Sequence, residues 1–272
     1  MDWVTPLELE ITDGWRNGGL KILLHISYLG TNYCGYQIQK NAVTVQQVLC
    51  EAAQRVFGVS CDVTGCSRTD SGVHANEFCA TVTERGKSGI VTSIPTDKLP
   101  LAFVAALPPD ISVWGAEEVG DDFHPRYDVK YKEYLYMIYN RAVPSPFFED
   151  RSWHYPRVLD GEAVARMNEA AQRLVGKHDF ASYMASGSDI KDTVRTVRSA
   201  SVYREGDTVI FKVSADGFLY NMVRIFMGTL IAVAEGKLTP EDIDAVTAAK
   251  DRKMAGITAP ARGLYLNKVV YN

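Results

Sequence analysis

DTVRTVRSASVYREGDTVIFKVSA, residues 192–215, decides how this chain is read. Two runs rich in β-branched and aromatic residues flank Glu205-Gly206-Asp207, a turn sequence, so the stretch predicts an antiparallel hairpin. Outward from it on the N-terminal side lies DGEAVARMNEAAQRLVG (160–176). There Val164, Met167, Ala171, Leu174 and Val175 recur at helical spacing, and Gly176 reads as the helix end. On the C-terminal side the apolar run 218–234 reads as a second helix, and Thr239-Pro240-Glu241-Asp242 starts another, with an N-cap, a proline at N1 and acids in its first turn. Farther out stand two strand patterns, DVKYKEYLYMIYN (128–140) and LYLNKVVYN (264–272).

The first half of the chain repeats that order. LKILLHISYL (20–29) reads as a strand, and TVQQVLCEAAQRVFG (44–58) as a helix with Val45, Val48, Leu49, Ala52 and Val56 on one face. Thr44 and Gln47 form a capping-box pattern and Gly58 a C′ stop. Strand patterns follow near 61–67 and 76–83, then a helix around 95–107 and a strand around 111–119. Strand–helix–strand–strand–helix–strand thus occurs twice, each a ferredoxin-like βαββαβ unit. The expected fold class is α+β: two such halves joined into one mixed, mainly antiparallel sheet, with helices packed on one face and an active-site cleft between the halves. The expected organisation is an acidic N-terminal extension (1–19), a first half (20–120) and a second half (121–272).

Composition bounds the function. Of 272 residues, 46% are hydrophobic and 23% charged, which suits a continuous core and opposes disorder. The net charge of −4 argues weakly against a nucleic-acid partner, but residues 1–19 hold four acids and one arginine, so the remainder is close to neutral and local clustering matters more. That opening lacks a basic stretch followed by an apolar one, so no signal peptide is expected. The apolar run 217–234 is interrupted by Asn221, Arg224 and Gly228, which opposes a membrane span. Cys34, Cys50, Cys61, Cys66 and Cys79 include no CxxC pair, and no histidine stands at a zinc-like spacing from them. They read as reduced thiols of a cytoplasmic protein, without a metal.

The chemistry centres on GCSRTDSGVHA, residues 65–75. Asp70, among small side chains, is either the acid of an Asx-turn or a carboxylate held out as nucleophile or base. Arg224 is the only formally charged side chain between Asp216 and Glu235, within an apolar helix. A guanidinium cannot lose its proton, so it either reaches the surface or needs an acceptor, for which Asp70 is suited. On the 128–140 strand, Tyr134 shares a face with Lys130 and Lys132, a pattern fit for a flipped base beside phosphates, or for an aromatic core strand with a solvated face. Lys191, Arg195 and Arg198 form a second basic run. His74 and His124 read as structural hydrogen-bonders. No GxGxxG, P-loop or HExxH occurs, which leaves nucleotide cofactors and metalloprotease chemistry without support.

Together these stretches resemble the tRNA pseudouridine synthase A family. GCSRTDSGVHA resembles its nucleophile loop, YLGTNYCGYQIQKNAVTVQQVLCEA (28–52) its opening block, and DDFHPRYDVKYKEYLYMIYN (121–140) its FH-x-R…Y-x-Y-x-I-x-N block. KHDFASY (177–183), FLYNMVRIFMGTL (218–230), AAKDR (248–252) and APARGLYLNKV (259–269) follow in the family's order, so the likeness runs from Leu20 to the C-terminus. Tyr36, where the family usually carries Trp, Cys66-Ser67 in place of Ser-Gly, and the acidic extension depart from it. The resemblance implies isomerisation of uridine to pseudouridine in the anticodon arm of tRNA, at nucleotides 38, 39 and 40, by a homodimer without cofactor or metal. It implies Asp70 as nucleophile, Arg224 as its ion-pair partner, Arg68 as the residue that extrudes the base, and Tyr134 as the substrate-binding tyrosine. Two rivals stand beside it: a glycoside or nucleoside hydrolase using Asp70, which needs a second carboxylate as acid, and a non-catalytic RNA-binding module.

Overall fold

The computed structural model describes residues 19–187 and 190–271; residues 1–18 of the acidic extension lie outside the described residues. The first unit runs β1 (Lys21–Tyr28), α1 (Val45–Phe57), β2 (Cys61–Gly65), β3 (His74–Glu84), α2 (Leu99–Val104) and β4 (Ile111–Val119). Its strands stand in the order β4-β1-β3-β2, all antiparallel. The second unit runs β5 (Val129–Tyr139), β6 (Trp153–His154), α3 (Gly161–Gln172), β7 (Gly176–Asp179), β8 (Val194–Glu205), β9 (Thr208–Ala215), α4 (Met222–Ala234), α5 (Asp242–Ala249) and β10 (Leu264–Tyr271). It has the same order, β10-β5-β9-β8, with β7 added outside β8 and β6 beside β5.

One seam joins the two into a ten-stranded sheet. β10 pairs with β3 in parallel through Tyr265 with His74 and Leu266 with Ala75, while β2 pairs with Ala80–Glu84 of the same strand. Because β1 occupies the other side of β3, β2 and β10 must share one edge and part company there. Residues 66–73, which leave β2 and return into β3, therefore cross the seam between the two halves.

Local chemistry accounts for most boundaries. Thr44 Oγ1 accepts the Gln47 N–H at 3.4 Å and starts α1, and Gly58 at φ 74° stops it. The capping box is only half formed, because the Gln47 amide donates to Glu51 instead of returning to Thr44. α3 ends at Gln172 and not at Gly176: the amides of Leu174 and Val175 bond three residues back and tighten the chain into a turn. Leu174 stays buried, Val175 turns outward against expectation, and Gly176, at φ 123°, opens the edge strand β7.

Tyr36, the departure from the family's Trp, stacks on Phe78 with ring centroids 4.4 Å apart, and its buried hydroxyl has no partner among the described residues. An unbonded buried hydroxyl costs roughly 1–3 kcal/mol of desolvation. Tyr36→Phe is therefore expected to stabilise the protein by about 1 kcal/mol, read as a raised thermal midpoint; a lowered one would show that the hydroxyl is satisfied in solution.

Candidate active site

Asp70 lies in the seam-crossing loop, which is held without help from its carboxylate. The hydroxyls of Tyr28 and Thr69 share a hydrogen bond of 2.8 Å. The Tyr36 N–H donates to the Thr69 carbonyl, and Ser71 Oγ donates to the Tyr33 carbonyl at 3.2 Å. Lys132 Nζ, reaching from β5, donates to the Cys66 carbonyl at 2.6 Å. The turn itself closes through the Val73 N–H on the Asp70 carbonyl, with Gly72 at φ 76°. Gly35 passes so near that a Cβ there would meet the Thr69 carbonyl oxygen at 2.7 Å. Among the described residues no backbone amide donates to the Asp70 side chain, so it is not the acid of an Asx-turn. Its charged neighbour is Arg224, with Nη1 3.7 Å from Oδ2.

Arg224 sits in the first turn of α4 and is largely withdrawn from solvent, with 18% of its side chain exposed. Its hydrogen bonds go elsewhere than to Asp70: Nε donates to the Ala259 carbonyl at 2.7 Å, and Nη1 to Asn221 Oδ1 at 2.6 Å. The contact with Asp70 is a Coulombic pair that lacks a hydrogen bond. Asn221 precedes the helix in the left-handed conformation, φ 59°, which asparagine tolerates better than most residues. Burial pushes the Asp70 carboxyl above the usual aspartate range, and the Arg224 charge pulls it only partly back.

Tyr134 faces the helices, buried beside Phe218 in an edge-on contact with centroids 4.9 Å apart. Its hydroxyl stands 3.4 Å from Ser67 Oγ, and the Asp70 charge reaches it; burial is the chief cause that raises the phenol above its ordinary range. Arg68 is exposed and makes no ion pair or side-chain hydrogen bond with a described residue. Lys130 is exposed, whereas Lys132 is half-buried, and desolvation lowers its ammonium's pKa. Arg198 covers the Tyr131 ring at 4.6 Å on β5's other face. His74 is a structural bonder: Nδ1 accepts the Gly30 N–H at 2.9 Å, and Nε2 faces the Arg262 carbonyl. His124 accepts the Arg126 N–H.

The sequence reading missed Asn221, the Ala259 carbonyl, Ser67 and the Lys132 anchor. Only Asn221 left a signal, since an amide three residues before a lone arginine in a helix can reach it. Among the described residues no helix is long and apolar enough to cross a membrane.

One partly exposed carboxylate is thus set against a guanidinium beside the seam of two βαββαβ units. The family model described as tRNA pseudouridine synthase matches residues 25–128 and 170–272. Proteins named tRNA pseudouridine synthase A from Ruminiclostridium cellulolyticum, Moorella thermoacetica and Thermoanaerobacter sp. (strain X514) are 46%, 44% and 43% identical to this chain, over 92–93% of it and 99% of their own length. The chain belongs to the tRNA pseudouridine synthase family.

Proposed function

We propose that this protein converts uridine to pseudouridine in the anticodon arm of tRNA, at nucleotides 38, 39 and 40, with Asp70 as nucleophile and without a cofactor. The observation that carries the reading is a carboxylate in a loop that does not need it, 3.7 Å from a buried arginine. The C1′–N1 bond breaks, the uracil turns, and a C5–C1′ bond forms; C5 loses a proton and N1 gains one, so the reaction balances without an outside reagent. Cleavage builds oxocarbenium-like charge at C1′, and an ionised carboxylate beside it favours both steps. Arg224 keeps that carboxylate ionised against the cost of burial.

Tyr134 packs on the target base. Arg68, exposed and unbonded, extrudes the nucleotide, a step that costs a few kcal/mol of unstacking. Lys130, Lys191 and Arg195 extend the phosphate contacts, whereas Arg198 is held over Tyr131 on the other face of β5. The hydrolase alternative is disfavoured because the charges acting on Asp70 are those of Arg224 and no second carboxylate. The protein works in the cytoplasm as a homodimer, each tRNA reaching across both copies; a monomer in sedimentation with bound tRNA would reject that arrangement.

The test is incubation with an unmodified tRNA transcript and position-resolved pseudouridine mapping. Product in the anticodon arm supports the reading, and product elsewhere, or none, overturns it. Tyr134→Phe is expected to keep its affinity for tRNA while kcat falls about 10–100-fold, the equivalent of one hydrogen bond to a charged group. An unchanged kcat would remove the hydroxyl from the mechanism.

A further inference from the structure

The face of the first unit turned away from Ile26 and Phe78 carries a cluster that this reaction does not use. His25 on β1 and Cys79 on β3 are registered directly opposite each other, with Nδ1 and Sγ 3.7 Å apart. Glu77, on the same strand as Cys79, brings Oε1 to 3.7 Å from that same Nδ1, and the three donor atoms all lie within 4.8 Å of one another. Zinc bonds of about 2.3 Å to sulfur and about 2.0–2.2 Å to nitrogen and oxygen require donor separations of roughly 3.3–3.6 Å in a tetrahedron. The two 3.7 Å spacings from His25 Nδ1 need contract by only a few tenths of an ångström, while Cys79 Sγ and the Glu77 carboxylate, within 4.8 Å of each other, must close by up to about 1.3 Å.

The histidine is already oriented for such a role. Its Nε2 stands 3.1 Å from Glu117 Oε1 on β4, which fixes the proton of a neutral ring on Nε2 and turns the Nδ1 lone pair toward Cys79 and Glu77. Trp114 packs against the ring with centroids 5.0 Å apart, and Gly115, registered opposite His25, leaves the ring its space. In that tautomer Nδ1 and the Glu77 carboxylate are two acceptors aimed at one point, which suits a bound cation.

We propose that His25, Glu77 and Cys79 bind one zinc ion, with Glu117 as the carboxylate that orients His25. On binding, the Cys79 thiol proton passes to solvent and the thiolate becomes a ligand; water reaches the remaining position, since His25 and Glu77 are about one-fifth exposed. The ion clips β1 to β3 at Cys79, whose carbonyl accepts the Cys66 N–H at 2.8 Å where the loop that bears Asp70 begins. The donors come together through sheet register, from residues 54 positions apart in the case of His25 and Cys79. For that reason the search for ligand spacing along the chain, which predicted no metal, passed them over.

The test titrates chelator-stripped full-length protein with Co(II) and then Zn(II). One equivalent of Co(II) is expected to give a thiolate-to-cobalt charge-transfer band in the near ultraviolet, discharged by one equivalent of Zn(II). Cys34→Ser, which removes the exposed thiol, keeps the band, and Cys79→Ser abolishes it. Should Cys79→Ser not fold, His25→Gln and Glu77→Gln, at less buried positions, still abolish tight binding, and Glu117→Gln weakens it about 10–100-fold. A protein without the band overturns the proposal. Binding that survives in His25→Gln or Cys79→Ser, or that follows Cys34, overturns it equally.

Discussion

Asp70→Asn is expected to give a folded, tRNA-binding protein that forms no pseudouridine, with kcat lowered by at least about 10⁴-fold, the scale on which losing a covalent nucleophile acts. It folds because the loop around residue 70 hangs on Tyr28, Tyr33, Tyr36 and Lys132, none of which bonds to the carboxylate. Arg224 is not orphaned, because the Asn221 amide and the Ala259 carbonyl still accept from it. The same substitution reports the carboxyl's titration. Asp70's folded pKa lies above the unfolded one, so the protonated group favours the native state at low pH, and that contribution is lost as pH rises through the folded pKa. The melting temperature of Asp70→Asn relative to the native sequence should therefore rise from pH 4 toward neutrality and then level off. The effect is modest, since 31% of the Asp70 side chain is exposed and solvent screens it. Over the same interval the native enzyme's kcat climbs as the carboxylate forms. Pseudouridine at a substantial rate from the asparagine variant would remove Asp70 from the chemistry; a melting difference that shrinks with pH would contradict the raised pKa.

How much was legible beforehand follows from which interactions leave a periodic trace. The two βαββαβ units are written in alternating and helical apolar spacing, and the turn at Glu205-Gly206-Asp207 fixes the β8–β9 register. β6 and β7 were not legible: two and four residues long, and lying on β5 and β8, they hold their place by backbone bonds that any side chain allows. At the site, a single arginine in an apolar helix signals that something must accept its protons. It does not reveal that Asn221 and a backbone carbonyl from residue 259 take the hydrogen bonds and leave Asp70 at 3.7 Å. Backbone acceptors carry no residue identity, and sheet register between distant strands carries no local spacing. The His25–Cys79 pairing escaped for the second of these reasons.

Gly228→Ala is expected to cost about 3 kcal/mol, at the upper end of the overpacking range, and to lower the melting temperature by about 6 °C or more in a chain of this size. A Cβ at Gly228 would stand 1.9 Å from the Ile257 carbonyl oxygen, and one at Gly256 would stand 2.4 Å from the Gly228 carbonyl. Two glycines thus let α4 and the 256–259 segment touch backbone to backbone. The crossing is tied by the Gly256 N–H donating to Thr229 Oγ1 at 2.9 Å, while that hydroxyl donates back to Ile225. Because the obstruction is main chain, no rotamer relieves it, and the segment must move away as a unit. Its last residue is Ala259, whose N–H bonds the Arg224 carbonyl at 3.1 Å and whose carbonyl holds Arg224 Nε. Displacing it releases the guanidinium that faces Asp70, so kcat should fall even well below the melting temperature, where the variant is folded. Gly161→Ala, at the start of α3 with nothing within 4 Å of the added methyl, is the matched control and should leave both readings unchanged. An undiminished melting temperature in Gly228→Ala would mean that the helix and the segment are not in backbone contact. A lowered melting temperature with full turnover would mean that the Ala259 carbonyl is dispensable for orienting Arg224.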